Sequence, residues 1–426
     1  MTSHDAQREG NAPFRFVHCS DVHLDAPFAC PDADVRARLA EESGATLRRL
    51  VDLCLAEQVH ALVVAGDLFD EERLTLATEE LVAAELARLS SAGITVVLAC
   101  GNHDSARPEG RMAALALPEG VLVAGAQPLL AEVRDGAGRV VGRIAAAGHA
   151  RACETQRLVD ALPPAGEGAP SVAVLHGFVE GSRGCERHEP LAPCGPDDFA
   201  ALGHRYWALG HVHERQQVGR KPTAHYPGSL VAHGFAECGP RGALLVTLGA
   251  KGDPKVEFRP LCGARFETLA PAGLAQAGDL AALRGACTQA FETLRAGEPR
   301  PEIQWLLRFS LSGPCGCAAE CQREELLDEL GEELTVLLRP FGVLRAEVVD
   351  AGVTRPLDLA PHAGRPHLLG EALAVAAALD DDAVLDRLVP AALAGAPAAD
   401  KRAYVRSLLK DIDRAAAEAL LREVRP

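Results

Sequence analysis

At 426 residues the chain is too long for one ordinary core, and a prior of roughly 150 residues per domain points to two or three domains. Hydrophobic content of 48% and charged content of 24% are globular values. The balance of 43 basic against 59 acidic residues, net −16, excludes a protein that coats nucleic acid by charge alone. It leaves room for an enzyme that reaches nucleic acid through a metal site, with a partner supplying much of the phosphate contact.

Residues 1–12 read as a disordered tail that lacks the apolar core of a secretory signal. No apolar run approaches the ~18 residues of a membrane span. Phe14–Ser20 reads as a first strand running into Asp21-Val22-His23. Residues 34–58 carry helical periodicity through Val35, Leu39, Leu47, Leu50, Val51 and Leu55. Ala61–Ala65 is a second strand ending in Gly66-Asp67-Leu68-Phe69-Asp70. A helix at 76–91 follows, then an apolar strand, Ile94–Cys100, ending in Gly101-Asn102-His103-Asp104. Taken alone, that last turn also reads as a strand-to-helix turn with Asp104 or Ser105 as N-cap.

Residues 121–147 read as short strands, Ser171–Leu175 as a buried strand ending in His176-Gly177, and Tyr206–Leu209 as one ending in Gly210-His211-Val212-His213. Two further strand-like runs lie near 225–230 and 241–249. Continuous apolar strands alternating with helices indicate an α/β sheet buried on both faces. From 264 to 350 the order is strand, helix, strand, helix, strand (266–269, 279–295, 303–311, 322–338, 342–350), which fits a small α+β domain. Residues 365–424 are helical, with a break at 397–400.

Ligand sites in open α/β sheets lie off the carboxyl ends of strands. The residues collected there are Asp21, His23, Asp67, Asn102, His103, His176, His211 and His213. Two Asp, four His and one amide suit two divalent cations, with Asp67 as the bridging carboxylate, and such mixed ligands suit Mn, Fe or Zn better than Mg or Ca. In strand geometry Asp21 and His23 point the same way, as do His211 and His213, while Val22 and Val212 point into packing. Paired metals about 3.5–4 Å apart activate water and clamp a phosphoryl group. His103 is surplus to ligation and suits transition-state stabilisation or leaving-group protonation. Asp70 can hold its tautomer. His18, His149, His204, His225 and His233 read as satisfied core or loop histidines.

The 13 cysteines, scattered over strands and helices, fit reduced thiols in a cytoplasm better than a disulfide framework. One cluster, Cys315-x-Cys317-x3-Cys321, has no local fourth ligand for a structural zinc and reads as free thiols. Arg183, Arg187, Arg215, Arg220 and Lys221 gather near the His176 and His211 loops. The interleaved Glu180, Glu186, Glu189 and Glu214 favour a solvated surface over a phosphate track.

The ordered set Asp21-x-His23, Gly66-Asp67, Gly101-Asn102-His103-Asp104, His176-Gly177, Gly210-His211-x-His213, spanning about 14–250, resembles the calcineurin-like metallophosphoesterases. Within them, His18-Cys19-Ser20-Asp21-Val22-His23-Leu24-Asp25-Ala26-Pro27-Phe28 resembles the SbcD-type DNA repair exonucleases, and Leu24-Asp25 points to their YhaO-type bacterial branch. Tyr226-Pro227-Gly228-Ser229 matches a further strand-turn element of the family. The resemblance implies an α/β four-layer sandwich, two mixed β-sheets flanked by helices, with a small α+β capping domain and C-terminal helices. It implies a catalytic domain at 13–262, a capping domain at 263–354 and a partner-docking helical region at 355–426.

It also implies a two-manganese site, with Asp21, His23, Asp67 and His213 on one ion and Asp67, Asn102, His176 and His211 on the other. His103 is then catalytic, with Asp70 as its partner. The implied function is a cytoplasmic, metal-dependent DNA nuclease, 3'-5' exonuclease or endonuclease, in which an activated hydroxide attacks the phosphodiester during repair. Its implied partners are DNA, an SbcC-like SMC-type ATPase and a second copy of the chain, with no membrane. Two alternatives stand beside it: a phosphoesterase acting on a small nucleotide or phosphomonoester, and a scaffold component of an SbcC-like ATPase complex.

Overall fold

The computed structural model describes residues 13–422 apart from 71–72, 126, 220, 250, 380, 391–397 and 410–411. The expected tail at 1–12, the start of the 397–400 break and Arg220 lie outside the described residues.

The apolar runs form the expected strands. The first half of the chain runs β1 (Phe14–Cys19), α1 (Ala33–Ala56), β2 (Ala61–Ala65), α2 (Leu76–Ser91), β3 (Thr95–Ala99), a single turn α3 (Arg111–Ala114), β4 (Val121–Ala124), β5 (Leu129–Arg134), β6 (Val140–Ala147) and β7 (Ser171–His176). It continues with α4 (Pro196–Leu202), β8 (Tyr206–Gly210), β9 (Gln216–Val218), β10 (Thr223–Tyr226), β11 (Gly242–Leu248) and β12 (Lys255–Pro260). Two six-stranded sheets result, in the orders β12-β11-β1-β2-β3-β4 and β5-β6-β7-β8-β10-β9. Both are mixed: β1 to β4 pair in parallel while β11 is antiparallel to β1, and β6 to β8 are parallel while β5 is antiparallel to β6.

Four layers follow from which faces are apolar. Phe14, Phe16, Val63 and Val97 of the first sheet meet Ile144, Val172, Val174 and Tyr206 of the second in one core. The outer face of the first sheet packs on α1 and α2 through Val17, Leu47, Leu50, Leu62, Val82 and Leu86. The outer face of the second packs Trp207 and Leu175 against Phe199 of α4 and the turn carrying Leu158 and Val159. The helices start where their caps dictate: the Asp32 carboxylate accepts from Asp34 N and Val35 N, and Thr75 accepts from Thr78 N.

The registers bring the strand ends level. Cys19 pairs with Val64, Ala65 with Ala99, and His176 with Gly210. The loops leaving β1, β2 and β3 from one sheet and β7 and β8 from the other therefore start at matching heights.

The chain then runs β13 (Ala264–Leu269), α5 (Leu280–Ala296), β14 (Gln304–Pro314), α6 (Ala318–Cys321), α7 (Glu324–Leu338) and β15 (Val343–Thr354). Its strands form a sheet in the order β13-β14-β15. Helices α8 (Leu368–Ala378), α9 (Asp382–Leu388), α10 (Ala398–Leu408) and α11 (Ile412–Arg422) close the chain. Contacts divide it into two compact units: residues 1–269 with 291–309 and 331–348, and residues 270–290 with 310–330 and 349–426. No described helix is long and apolar enough to cross a membrane.

Phe16 is fully buried between the two sheets and packs edge-on against Tyr206. Phe16→Ala is expected to destabilise the protein by about 3–5 kcal/mol through the cavity it leaves, read as a lower urea midpoint at unchanged slope.

Candidate metal centre

All eight collected strand-end residues converge, His103 beside His23 and Asp67, and seven of them form two sets of atoms that carry lone pairs. Their partners fix which ring nitrogen carries the proton, because a carbonyl oxygen can only accept. His176 Nδ1 donates to Ala65 O at 2.9 Å, which leaves Nε2 as the nitrogen turned toward the other donors. That nitrogen faces Asn102 Oδ1 at 3.0 Å and Asp67 Oδ2 at 3.4 Å. His211 Nε2 donates to Glu189 O at 2.7 Å, so its bare Nδ1 faces the same Asn102 oxygen at 3.2 Å.

The second set is built alike. His213 Nδ1 is bound by the Glu237 carboxylate, and its Nε2 faces His23 Nε2 at 3.2 Å and Asp21 Oδ1 at 3.6 Å. His23 Nε2 in turn lies 3.6 Å from Asp67 Oδ2. Acceptors aimed at one another repel unless a cation lies among them. The donor set therefore fits two divalent ions, with Asp67 in both sets.

The backbone that achieves this is not a strand. β1 ends at Cys19, and Asp21, His23, Asp67 and His211 all have left-handed backbones, with φ of 51°, 48°, 53° and 102°. Strand alternation is therefore the wrong reason for Asp21 and His23 to converge, and for His211 and His213. The loops are instead laced together: Asp21 N donates to Gly66 O, Val22 N and His23 N to Asp67 O, and Leu24 N to Leu68 O. Strained backbone of this kind concentrates at functional sites. Val22 and Val212 are fully buried, as expected.

Asp104 does not cap a helix, since the next one begins at Arg111 behind Gly110. Its buried carboxylate accepts from Gly101 N at 2.7 Å, Leu68 N at 2.6 Å and Asp67 N at 3.3 Å, tying the β2 and β3 loops together. Gly101 permits the approach: a Cβ there would stand 2.1 Å from Asp67 Oδ1.

The electrostatics describe a pocket that concentrates negative charge away from water. Burial raises the Asp21 carboxyl and, with the charge of Asp67, pushes Asp104 up to about 7. Burial opposes ionisation of Asp67 as well, but His176 holds it well below the usual carboxylate range. Burial also lowers His176, yet Asp67 overcomes this and raises it to about 9, so a cation must displace the Nε2 proton before that ring can ligate. Burial takes His211 down to about 3, which keeps that ring neutral and able to ligate.

His103 differs from the other seven. Its side chain is exposed, its ring lies edge-on 4.7 Å from that of His23, and its backbone N–H donates to Asp67 Oδ1 at 2.9 Å. It lines a cavity of about 490 Å³ together with Asp70, Arg73, Arg107, Arg187 and His188. Asp70 is engaged by Arg73 Nη1 at 2.9 Å, and among the described residues no hydrogen bond joins it to His103.

Sequence reasoning missed His188, whose ring lies 4.8 Å from that of His213, and Glu237 and Arg241. Glu237 also accepts from His233 N at 2.6 Å, and Arg241 donates to His213 O at 2.7 Å. None of the three sits in a spaced motif or ends a strand, so pattern carried no sign of them. The histidines read as bystanders do other work. His18 lies between Tyr206 Oη and Leu209 O, His204 between Ser171 Oγ and Pro163 O, and His149 Nε2 donates to His176 O at 3.0 Å. His225 stacks on Tyr206 and His233 on Phe28. Of the basic cluster, Arg183 pairs with Glu214 at 3.1 Å and Arg215 lies over the Phe258 ring, which fits the surface reading; Arg187 alone of the described ones lines the cavity.

Comparison with known proteins agrees with this geometry. The family model described as calcineurin-like phosphoesterase matches residues 14–215. The metallophosphoesterase YhaO of Bacillus subtilis is 33% identical over 251 residues, 57% of this chain and 59% of that protein. The SbcD component of nuclease SbcCD from the same organism is 28% identical, covering 53% and 63%. The DNA double-strand break repair protein Mre11 of Methanopyrus kandleri is 27% identical, covering 50% and 48%. The chain thus spans about half to three fifths of the length of these relatives.

Glu237→Ala removes the acceptor that fixes the His213 tautomer. The affinity for a divalent cation, measured by calorimetric titration with manganese as the probe, is expected to fall by about 10–100-fold.

Proposed function

We propose, from the match of residues 14–215 to the calcineurin-like phosphoesterase family, that the chain is a metal-dependent nuclease that hydrolyses DNA phosphodiesters in end processing or repair. The observation that carries this reading is the pair of lone-pair clusters at the edge of a cavity lined by three arginines, Arg73, Arg107 and Arg187. Asp21, His23, Asp67 and His213 would hold one cation, and Asp67, Asn102, His176 and His211 the other, with manganese the favoured ion. Two such cations supply Lewis acidity toward the phosphoryl group and a nucleophilic water at neutral pH.

The chain's own groups do the rest. The arginines draw the anionic phosphate into the cavity, where their charge counts for more than in bulk water. His103, exposed to that cavity and anchored through its backbone on Asp67, donates the proton that the leaving oxygen needs. Asp70 orients the His103 ring once phosphate draws Arg73 away from it.

The names of the relatives, an SbcCD nuclease component and the repair protein Mre11, support DNA as the substrate. The net charge of −16 supports a partner that carries much of the backbone contact. An SbcC-like ATPase docked on the C-terminal helices fits this, since Leu368, Val375, Leu388, Tyr404, Leu408 and Ile412 are exposed along them. A cytoplasmic setting goes with that assembly. A second reading, a small nucleotide or phosphomonoester substrate, draws on the cavity's volume of about 490 Å³, which is the size of a small-ligand site.

End-labelled duplex DNA incubated with manganese separates the readings. Wild type is expected to release label. His103→Ala is expected to lose about 10²–10⁴-fold in rate while still binding manganese, and Asp67→Ala to lose both rate and metal. Turnover of chromogenic phosphodiesters with duplex ends left intact would favour the small substrate. Manganese-dependent release that persists in both variants overturns the assignment.

A further inference from the structure

A second metal-competent cluster lies in the unit formed by residues 270–290, 310–330 and 349–426. Cys315, Cys317 and Cys321 are each at most 1% exposed. Their Sγ atoms stand 3.6 Å (Cys315–Cys317), 3.9 Å (Cys315–Cys321) and 3.9 Å (Cys317–Cys321) apart. A disulfide needs sulfurs about 2.05 Å apart, so the three are separate thiols. Sulfurs at the corners of a tetrahedron, each about 2.3 Å from a central zinc, lie about 3.8 Å from one another. In a four-iron cubane each thiolate holds a different iron, which sets the sulfurs wider than this.

The local backbone is built around that triangle. Cys321 N donates to Cys317 O at 3.1 Å, closing the single turn α6 and placing Cys317 and Cys321 four residues apart on one face. Cys315 N donates to Thr354 O at 2.8 Å, and Gly316 N to Leu274 O at 2.9 Å. A side chain at Gly316 would place its Cβ 2.5 Å from Ala277 O, so only glycine lets the segment seat there. Buried thiols pack readily as small apolar groups. That alone gives no reason for three of them to meet at one point with the edges of a tetrahedron.

The missing fourth corner has a candidate that sequence spacing hides. Cys287, on α5 and fully buried, is near enough to Cys315 to feel its charge, but its sulfur lies outside the close group of three and must swing toward them to complete the shell. Four protein ligands and no open position make a structural site, not a catalytic one.

We propose that Cys315, Cys317 and Cys321 hold one structural zinc ion, with Cys287 swinging in as the fourth ligand, separate from the metal pair of the phosphoesterase domain. The ion cross-links α5 to the segment between β14 and α7, and three of its ligands come from seven residues of chain.

Zinc per chain is measured by mass spectrometry on the full chain and on two double variants. Asp67→Ala/His176→Ala empties the phosphoesterase site, and Cys317→Ser/Cys321→Ser removes half of the proposed ligands. One zinc is expected to remain in the first and to be lost from the thiol site in the second. Cobalt(II) loaded into the first variant is expected to give thiolate-to-metal charge transfer and the strong visible bands of a tetrahedral thiolate site. Those bands shift in Cys287→Ser if that residue is the fourth ligand; unshifted bands overturn its assignment. Charge-transfer bands absent from Asp67→Ala/His176→Ala, or zinc unchanged in the cysteine variant, overturn the site. Should the cysteine variant not fold, titration of wild type with a mercurial decides: one zinc released as four thiols react supports the site, and thiols that react without releasing zinc overturn it.

Discussion

The structure depends on holding mutually repelling atoms close together. Lone pairs of Asp21, His23, Asp67, Asn102, His176, His211 and His213 point inward within two small clusters. Several are held from behind by a group that can only accept or only donate: Ala65 O behind His176, Glu189 O behind His211, Glu237 behind His213, and the amide of His211 behind Asp21 at 3.0 Å. The sheets supply level strand ends, and these outer partners supply aim. Asp104 adds a staple, since one carboxylate gathers amides from two loops that no strand ladder joins.

Much of this could be read from the chain itself. Continuous apolar strands are visible as runs, and α2 at 76–91 has the boundaries that periodicity indicates. The seven candidate ligands were legible because metal-competent side chains end or follow five strands, β1, β2, β3, β7 and β8. What stayed hidden lies in the loops. Left-handed φ at four ligands follows from loop-to-loop hydrogen bonds between residues far apart in the chain, such as Val22 N to Asp67 O, and no local pattern encodes them. Glu237 acts on His213 from 24 positions away, and the short strands Gln216–Val218 and Lys255–Pro260 form only because β10 and β11 offer them an edge. Asp104 looked like a helix cap because capping and loop stapling call for the same side chain.

The two units divide the work of metal-type chemistry in different ways. In the first, hard oxygen and borderline nitrogen donors border an open cavity. In the second, the sulfurs are sealed off.

The first sheet holds Asp21, Asp67 and Asn102 at its strand ends, and the second holds His176, His211 and His213. Neither sheet owns a complete coordination shell. A ribosome must therefore release residues through His213, and through Glu237 that aims it, before the donor set can be complete. A nascent or misassembled intermediate with one sheet formed holds only part of the donor set, so the site is coupled to finished architecture.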